Sequence, residues 1–175
     1  AGQFDAVPDL GGVLGAAGRV QRLMDAVIAT AVGEVADRDR LSCEEQVSAP
    51  AGCRDVTELL RRTLRVDVGT ARRYVTAGRG VRRDQSMSAG ELLPARFEQL
   101  AQVLRDGELS VTGFLAATAP LQAVLSRIGA ADLVDADRVL AAAARGLDLP
   151  DAEGRPGPVP TTDELAALAH HIVLL

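Results

Sequence analysis

RDVTELLRRTLRVDVGTARRYVTAGRGVRR, residues 54–83, holds two short apolar-periodic runs separated by a tight turn. Leu59, Leu60 and Leu64 recur at the spacing of one helical face and predict a helix near 55–64. Ala71, Tyr74 and Val75 predict a second over 68–78, with Gly78 and Gly80 ending it. Residues 65–67 leave room only for a turn, and Asp67 is placed to cap the second helix through backbone N–H groups of its first turn. A helix-turn-helix unit needs apolar residues where its helices meet, a tight turn, and an exposed face on the second helix. Leu60, Leu64, Val66, Ala71 and Tyr74 or Val75 fall on the buried positions. Arg61 and Arg62 on the first helix, with Arg72, Arg73, Thr76 and Arg79 on the second, are left as the candidate nucleic-acid-binding set. Two residues depart from the usual pattern: Arg61 stands where a small alanine is common, and Arg65 where glycine is.

Outward from this unit the chain continues to read as helix. Val13, Ala17, Val20, Met24, Val27, Ile28, Ala31 and Val35 mark one face of a long amphipathic helix over 9–40. Gly11, Gly12, Gly15 and Gly18 weaken its first turns, and 41–53 reads as a loop. After a polar loop at 82–92, Pro94 is expected to open a helix with Phe97, Leu100, Ala101 and Leu104 inward. Ser110 caps the next helix, which Pro120 should kink or divide, with Leu121, Val124, Leu125 and Ile128 continuing its pattern. An alanine-rich helix over 130–146 follows. Residues 148–160 hold four prolines and read as a linker or exposed loop; Thr161 with Glu164 is a capping box for a last helix, 161–175, packing back on the 1–147 domain. The expected fold is all-α, with six to seven helices and helix-turn-helix-like pairs at 57–78 and 97–119.

Composition fits that fold. Apolar residues make up 47% of the chain and aromatics 2%, so the core is built from Leu, Val, Ile and Ala. Ala and Leu are strong helix formers, and no run of β-pattern of useful length competes with them. Every basic residue is arginine, a permanently charged planar donor suited to carboxylates and phosphates. The net charge of −5 argues against a general nucleic-acid coating protein. Its distribution is uneven: 54–83 carries nine arginines against three acids, +6, and the remainder ten against 21, −11. That block can therefore face duplex DNA, pair with the acidic rest of its own chain, or face a protein partner.

Other chemistry finds little support. Cys43 and Cys53 fit neither a zinc pattern nor a disulfide framework and are expected as reduced thiols of a cytoplasmic protein. No signal peptide and no membrane span is read. Asp132, Asp135 and Asp137 lack calcium-loop spacing and read as an acidic first turn favouring the helix dipole. His170 and His171 point about 100° apart on a helix and do not readily share a metal ion. No nucleophile turn or phosphate loop is present, so neither a catalytic set nor a cofactor is expected in this chain. A second class of function, a protein-interaction or homo-oligomerisation domain with no nucleic-acid contact, is motivated by the acidic net charge, the long first helix and the apolar end at 172–175.

GCRDVTELLRRTLRVDVGTARRYVTAGRGV (52–81), LLPARFEQLAQVLRDGELSVTGFLA (92–116) and ADLVDADRVLAAAARGL (131–147), with RLMDAVIATAVGEVADRD (22–39) ahead of them, resemble the domain-of-unknown-function family numbered 222, the 13E12 repeat family. The resemblance covers about 130 residues in the right order and rests on the TARRYV helix, the leucine-proline before the third helix and the DGELS turn. It implies a helical region of the kind that commonly precedes an HNH nuclease module, whose metal-binding and general-base histidines would lie beyond Leu175. The 148–160 segment is longer than is usual in that family. The expectation is therefore a non-catalytic accessory domain of an HNH-endonuclease-like protein, assisting DNA binding through its Arg-rich segment.

Overall fold

The computed structural model describes residues 9–41, 44–83, 95–147 and 157–174. Seven helices run through them: α1 Leu10–Arg38, α2 Val56–Leu64, α3 Val68–Val81, α4 Glu98–Arg105, α5 Val111–Ala123, α6 Ala130–Ala144 and α7 Thr162–Leu174. The described residues hold no strand, so the all-α expectation holds. No described helix is long and apolar enough to cross a membrane. Most of the expected 82–92 loop and of the 148–160 linker lies outside the described residues.

Small residues set how α1 meets α3. A Cβ on Gly33 would come within 2.9 Å of the Gly78 carbonyl oxygen, and one on Gly78 within 2.8 Å of the Ala29 oxygen and 2.9 Å of the Gly33 nitrogen. The two backbones touch there, with Ala29 and Ala77 fully buried alongside. This corrects the expected end of α3: Gly78 is a helix-crossing point, not a terminator, and α3 continues to Val81. It also explains which side of α1 docks. The buried residues of α1 are Asp25, Ala26, Ala29, Val32, Gly33 and Ala36. Most of the predicted apolar stripe instead faces solvent: Val13, Val20, Met24 and Val27 are 53–64% exposed, and of that set only Ile28 and Val35 are half-buried. The glycines do not break the start of α1, because Asp9 caps it, its carboxylate accepting from the Gly12 N–H at 2.9 Å.

Two clusters form the interior. The larger gathers α4 to α7 against α1 and α3 around Phe97, Leu100, Leu104, Phe114, Leu121, Leu140 and Leu165. Each of these is at most 1% exposed, and full burial of such a side chain is worth about 1.5–3 kcal/mol. The smaller, Val32, Leu60 and Ala71 with Ile28, Val56, Leu64, Val66, Tyr74 and Val75 around them, fastens α2 and α3 to α1.

Three further helix starts follow the local signals expected of them, and a fourth follows a distant one. Ser110 accepts from the Gly113 N–H at 3.0 Å, Asp67 from Thr70 at 3.0 Å, and Thr161 with Glu164 closes the expected reciprocal box on α7. The helix expected to open at Pro94 starts instead at Glu98, and its cap comes from another element. Asp137 of α6, 4% exposed, accepts from the Gln99 N–H at 2.8 Å and the Leu100 N–H at 3.0 Å, satisfying first-turn donors that Phe97 cannot. Burial holds the Asp137 carboxyl above the usual carboxylate range, against the pull of those two N–H groups. Pro120 does not divide α5, which runs through it to Ala123; Val124 and Leu125 then lie in turns and Ile128 at a bend. The buried Phe114, Ala117 and Leu121 hold that last turn in place despite the missing donor. α7 packs on α5 and α6 through Leu165 and Ala169.

Candidate nucleic-acid interface

The α2–α3 unit forms because both helices are capped where the sequence bends. Asp55 has extended backbone and its carboxylate accepts from the Glu58 N–H at 2.8 Å, while Glu58 accepts from the Arg54 N–H at 2.9 Å. Between the helices Arg65 adopts the left-handed conformation, φ 55° and ψ 41°. This is the conformation that the glycine of a helix-turn-helix turn supplies, reached here by a residue with a Cβ at a cost of about 1–2 kcal/mol. Asp67 then starts α3, taking the Thr70 N–H at 3.0 Å and the Thr70 hydroxyl at 2.5 Å. These contacts set the cap carboxyls below their ordinary range: Asp55 chiefly through the Glu58 N–H, Asp67 chiefly through the Thr70 hydroxyl. The other departure, Arg61, has no steric consequence. It is exposed, and the small contact between the helices is made by Ala71, which is fully buried against the Leu60 cluster.

α3 is locked from behind by a polar junction that the sequence did not reveal. The Tyr74 hydroxyl donates to Asp25 of α1 at 2.6 Å, and the other Asp25 oxygen accepts from the Val111 N–H at the start of α5 at 3.2 Å. Asp25 is only 9% exposed. Burial, and then the hydrogen bond to Asp25, pushes the Tyr74 phenol up to about 12. With the Gly33–Gly78 contact, this fixes the rotation of α3 about its axis and so decides which side chains face outward.

Arg72, Arg73, Thr76 and Arg79 all lie on the exposed face of α3, as the spacing predicts. Arg73 donates to the Thr70 hydroxyl at 2.9 Å, and the Thr76 hydroxyl donates to the Arg72 carbonyl at 3.0 Å. The candidate set is not uniform, however. Arg62 is held by Glu58 one turn back, at 2.5 Å, so its charge is already answered locally. Arg54 pairs with Asp55 at 3.2 Å. Among the described residues only Arg82 of this block reaches a carboxylate outside 54–83, that of Asp37. Among the described residues Arg61, Arg65, Arg72, Arg73, Arg79 and Arg83 have no carboxylate partner. Several of the body's acids are answered by its own arginines instead, as where Arg145 bridges Asp106 at 2.6 Å and Glu108 at 2.7 Å.

The C-terminal half of α3 opens into a cleft of about 350 Å³ that collects further cations. Arg79 and Arg82 of this segment meet Arg40, beyond the end of α1, and Arg96, just before α4; Thr76 and Gln122 add polar groups, no acid among the described residues lines the cleft, and Asp37 outside it pairs with Arg82 and, at 3.8 Å, with Arg40. Arg40 and Arg96 escape sequence reasoning because each stands well apart in sequence from the basic block, and only the folding of α1 and α4 against α3 brings them beside it. The remaining residues singled out by sequence do not gather. Asp135 is exposed and pairs with Arg138 at 3.0 Å, whereas Asp137 points into the start of α4. His170 and His171 are both exposed, the first with Nδ1 at 2.8 Å from the Ala166 oxygen. Cys53 is a buried free thiol, and Cys43 lies outside the described residues.

The fold and the site together define an all-helical domain with a helix-turn-helix-like unit whose second helix carries an unpaired arginine face. Comparison with protein-family models, with curated proteins and with solved structures finds no match.

Proposed function

We propose that this chain is a non-catalytic accessory domain that helps an HNH-endonuclease-like protein bind duplex DNA, with the outer face of α3 laid against the phosphate backbone. The observation that carries the reading is the uncompensated row Arg72, Arg73 and Arg79 on one exposed helix face, with Arg96 at its end and Arg40, which shares Asp37 with Arg82, beside it. A solvated face serving only to balance an acidic protein would show the guanidiniums of Arg72, Arg73 and Arg79 on the body's carboxylates, and among the described residues they are not there. The link to an HNH module rests on the resemblance of 52–81, 92–116 and 131–147 to the 13E12 repeat family.

The test is fluorescence anisotropy with a duplex oligonucleotide over a series of salt concentrations. Each phosphate neutralised contributes about −0.9 to the slope of log affinity against log salt. The Arg72→Ala/Arg73→Ala variant is expected to flatten that slope by about two and to keep its helical circular dichroism. Absence of binding at low salt, or an unchanged slope in the variant, refutes the proposal.

A further inference from the structure

The solvent-facing stripe of α1 has a second periodicity, and it points to a partner. Leu10, Ala17, Met24 and Ala31 are seven residues apart, and Val13, Val20 and Val27 fall between them in strict three–four alternation. All seven are exposed, the larger ones by 53–64%. Such an a/d repeat over three heptads is the pattern of a helix that supercoils with another helix; a 3.6-residue stripe would drift from it by about 20° per heptad. The repeat is not what holds α1 to its own body. Ala26, Ala29, Gly33 and Ala36, which do that, lie on the opposite side of the helix.

We infer that α1 pairs with α1 of a second copy of this chain through that seam. Three features select a like helix as the occupant. The a and d positions from 10 to 31 carry no charge, so a two-fold axis through the seam brings no charge against its own copy. The ionisable residues of that span lie off the seam: the Arg22 Nε donates to the Gly107 carbonyl at 2.9 Å, Asp25 is buried in the body, and the exposed Arg19 lines, with Arg22, the cleft against Gly107 and Glu108. The surface is also of the right size. With Leu14 at 72% and Leu23 at 40% flanking the seam, its large side chains hold on the order of 700 Å² of accessible area, near the ~800 Å² per partner of a standard interface. Because the body docks on the other side of the helix, two bodies remain clear of one another.

Sedimentation equilibrium of the full 175-residue chain without DNA tests this, and its outcome does not depend on the DNA-binding reading. The expected species has twice the 18.3 kDa chain mass at micromolar concentrations. Val20→Glu/Val27→Glu is expected to raise the dimer dissociation constant at least about 100-fold. These side chains are 61% and 62% exposed in the single chain, so the helical signal at 222 nm and the melting of the monomer should be preserved. Val20→Leu/Val27→Leu keeps the seam apolar and should keep the dimer. A wild-type chain that stays monomeric at 200 μM overturns the inference, as does a glutamate variant that dimerises as tightly as wild type.

Discussion

Gly78→Ala measures whether α3 is seated on α1 as closely as the structure shows. In an exposed helix interior the change is favourable, because alanine exceeds glycine by about 1 kcal/mol in helix propensity. Gly15, in α1, is such a site: a Cβ there meets nothing within 4 Å. At Gly78 the same methyl would lie 2.8 Å from the Ala29 oxygen and 2.9 Å from the Gly33 nitrogen. Those are backbone atoms of another helix and cannot rotate aside, so α1 and α3 must separate. Overpacking of this kind costs about 1–3 kcal/mol, and the rigid neighbours place it in the upper half of that range. After the propensity gain, Gly78→Ala should be destabilised by about 1–2 kcal/mol and Gly15→Ala stabilised by up to about 1 kcal/mol. For a chain of this length 1 kcal/mol moves the melting temperature by about 2–4 °C, so the two variants should shift in opposite directions in thermal melts followed at 222 nm. Equal stabilisation of both would show that the helices do not touch at Gly33 and Gly78.

Two other perturbations probe the α2–α3 unit. Arg65→Gly relieves the left-handed strain of about 1–2 kcal/mol and gives back up to about 1 kcal/mol of chain entropy, so urea denaturation should show a gain of about 0.5 kcal/mol; a loss would mean that the turn is not left-handed. Acid should loosen the caps: Asp55, Asp67 and Glu164 have depressed folded-state values, so their stabilisation is present above the ordinary carboxylate range and is lost as pH falls through the lowered values. Asp137, raised by burial, works in the opposite sense, its contribution being complete below pH 3.8 and lost as pH rises through its raised value. Asp55→Asn/Asp67→Asn retains both caps without the titration and should flatten the fall in stability below pH 4; an acid limb identical to wild type would remove these two carboxylates from the explanation.

Local information was sufficient wherever a residue acts on its own neighbours. Asp67, Ser110 and the Thr161–Glu164 box cap helices within three or four positions, and all three were legible because hydrogen bonding over that distance does not depend on the rest of the chain. The exposed face of α3 was legible for a similar reason: Ala71 and Tyr74 face inward, and the 3.6-residue period then turns Arg72, Arg73, Thr76 and Arg79 outward. Periodicity failed at α1, where two faces compete. The sequence shows a stripe of large apolar residues, yet a close crossing needs small ones, and Gly33 against Gly78 settled which face the body takes.

Contacts between distant parts of the chain carry no local signature, and they decided the rest. Asp137 caps α4 across 38 residues, Asp25 joins α3 to α5, and Arg40 and Arg96 reach the arginine face from separate segments. The excess of positive charge in 54–83 was evident from composition alone. Whether that charge is answered by the acidic body depends on the tertiary arrangement, since Coulombic pairing requires guanidinium and carboxylate within a few ångströms of one another. In this fold the body's acids are drawn to Arg82, Arg105, Arg138 and Arg145, and the outer face of α3 keeps its charge.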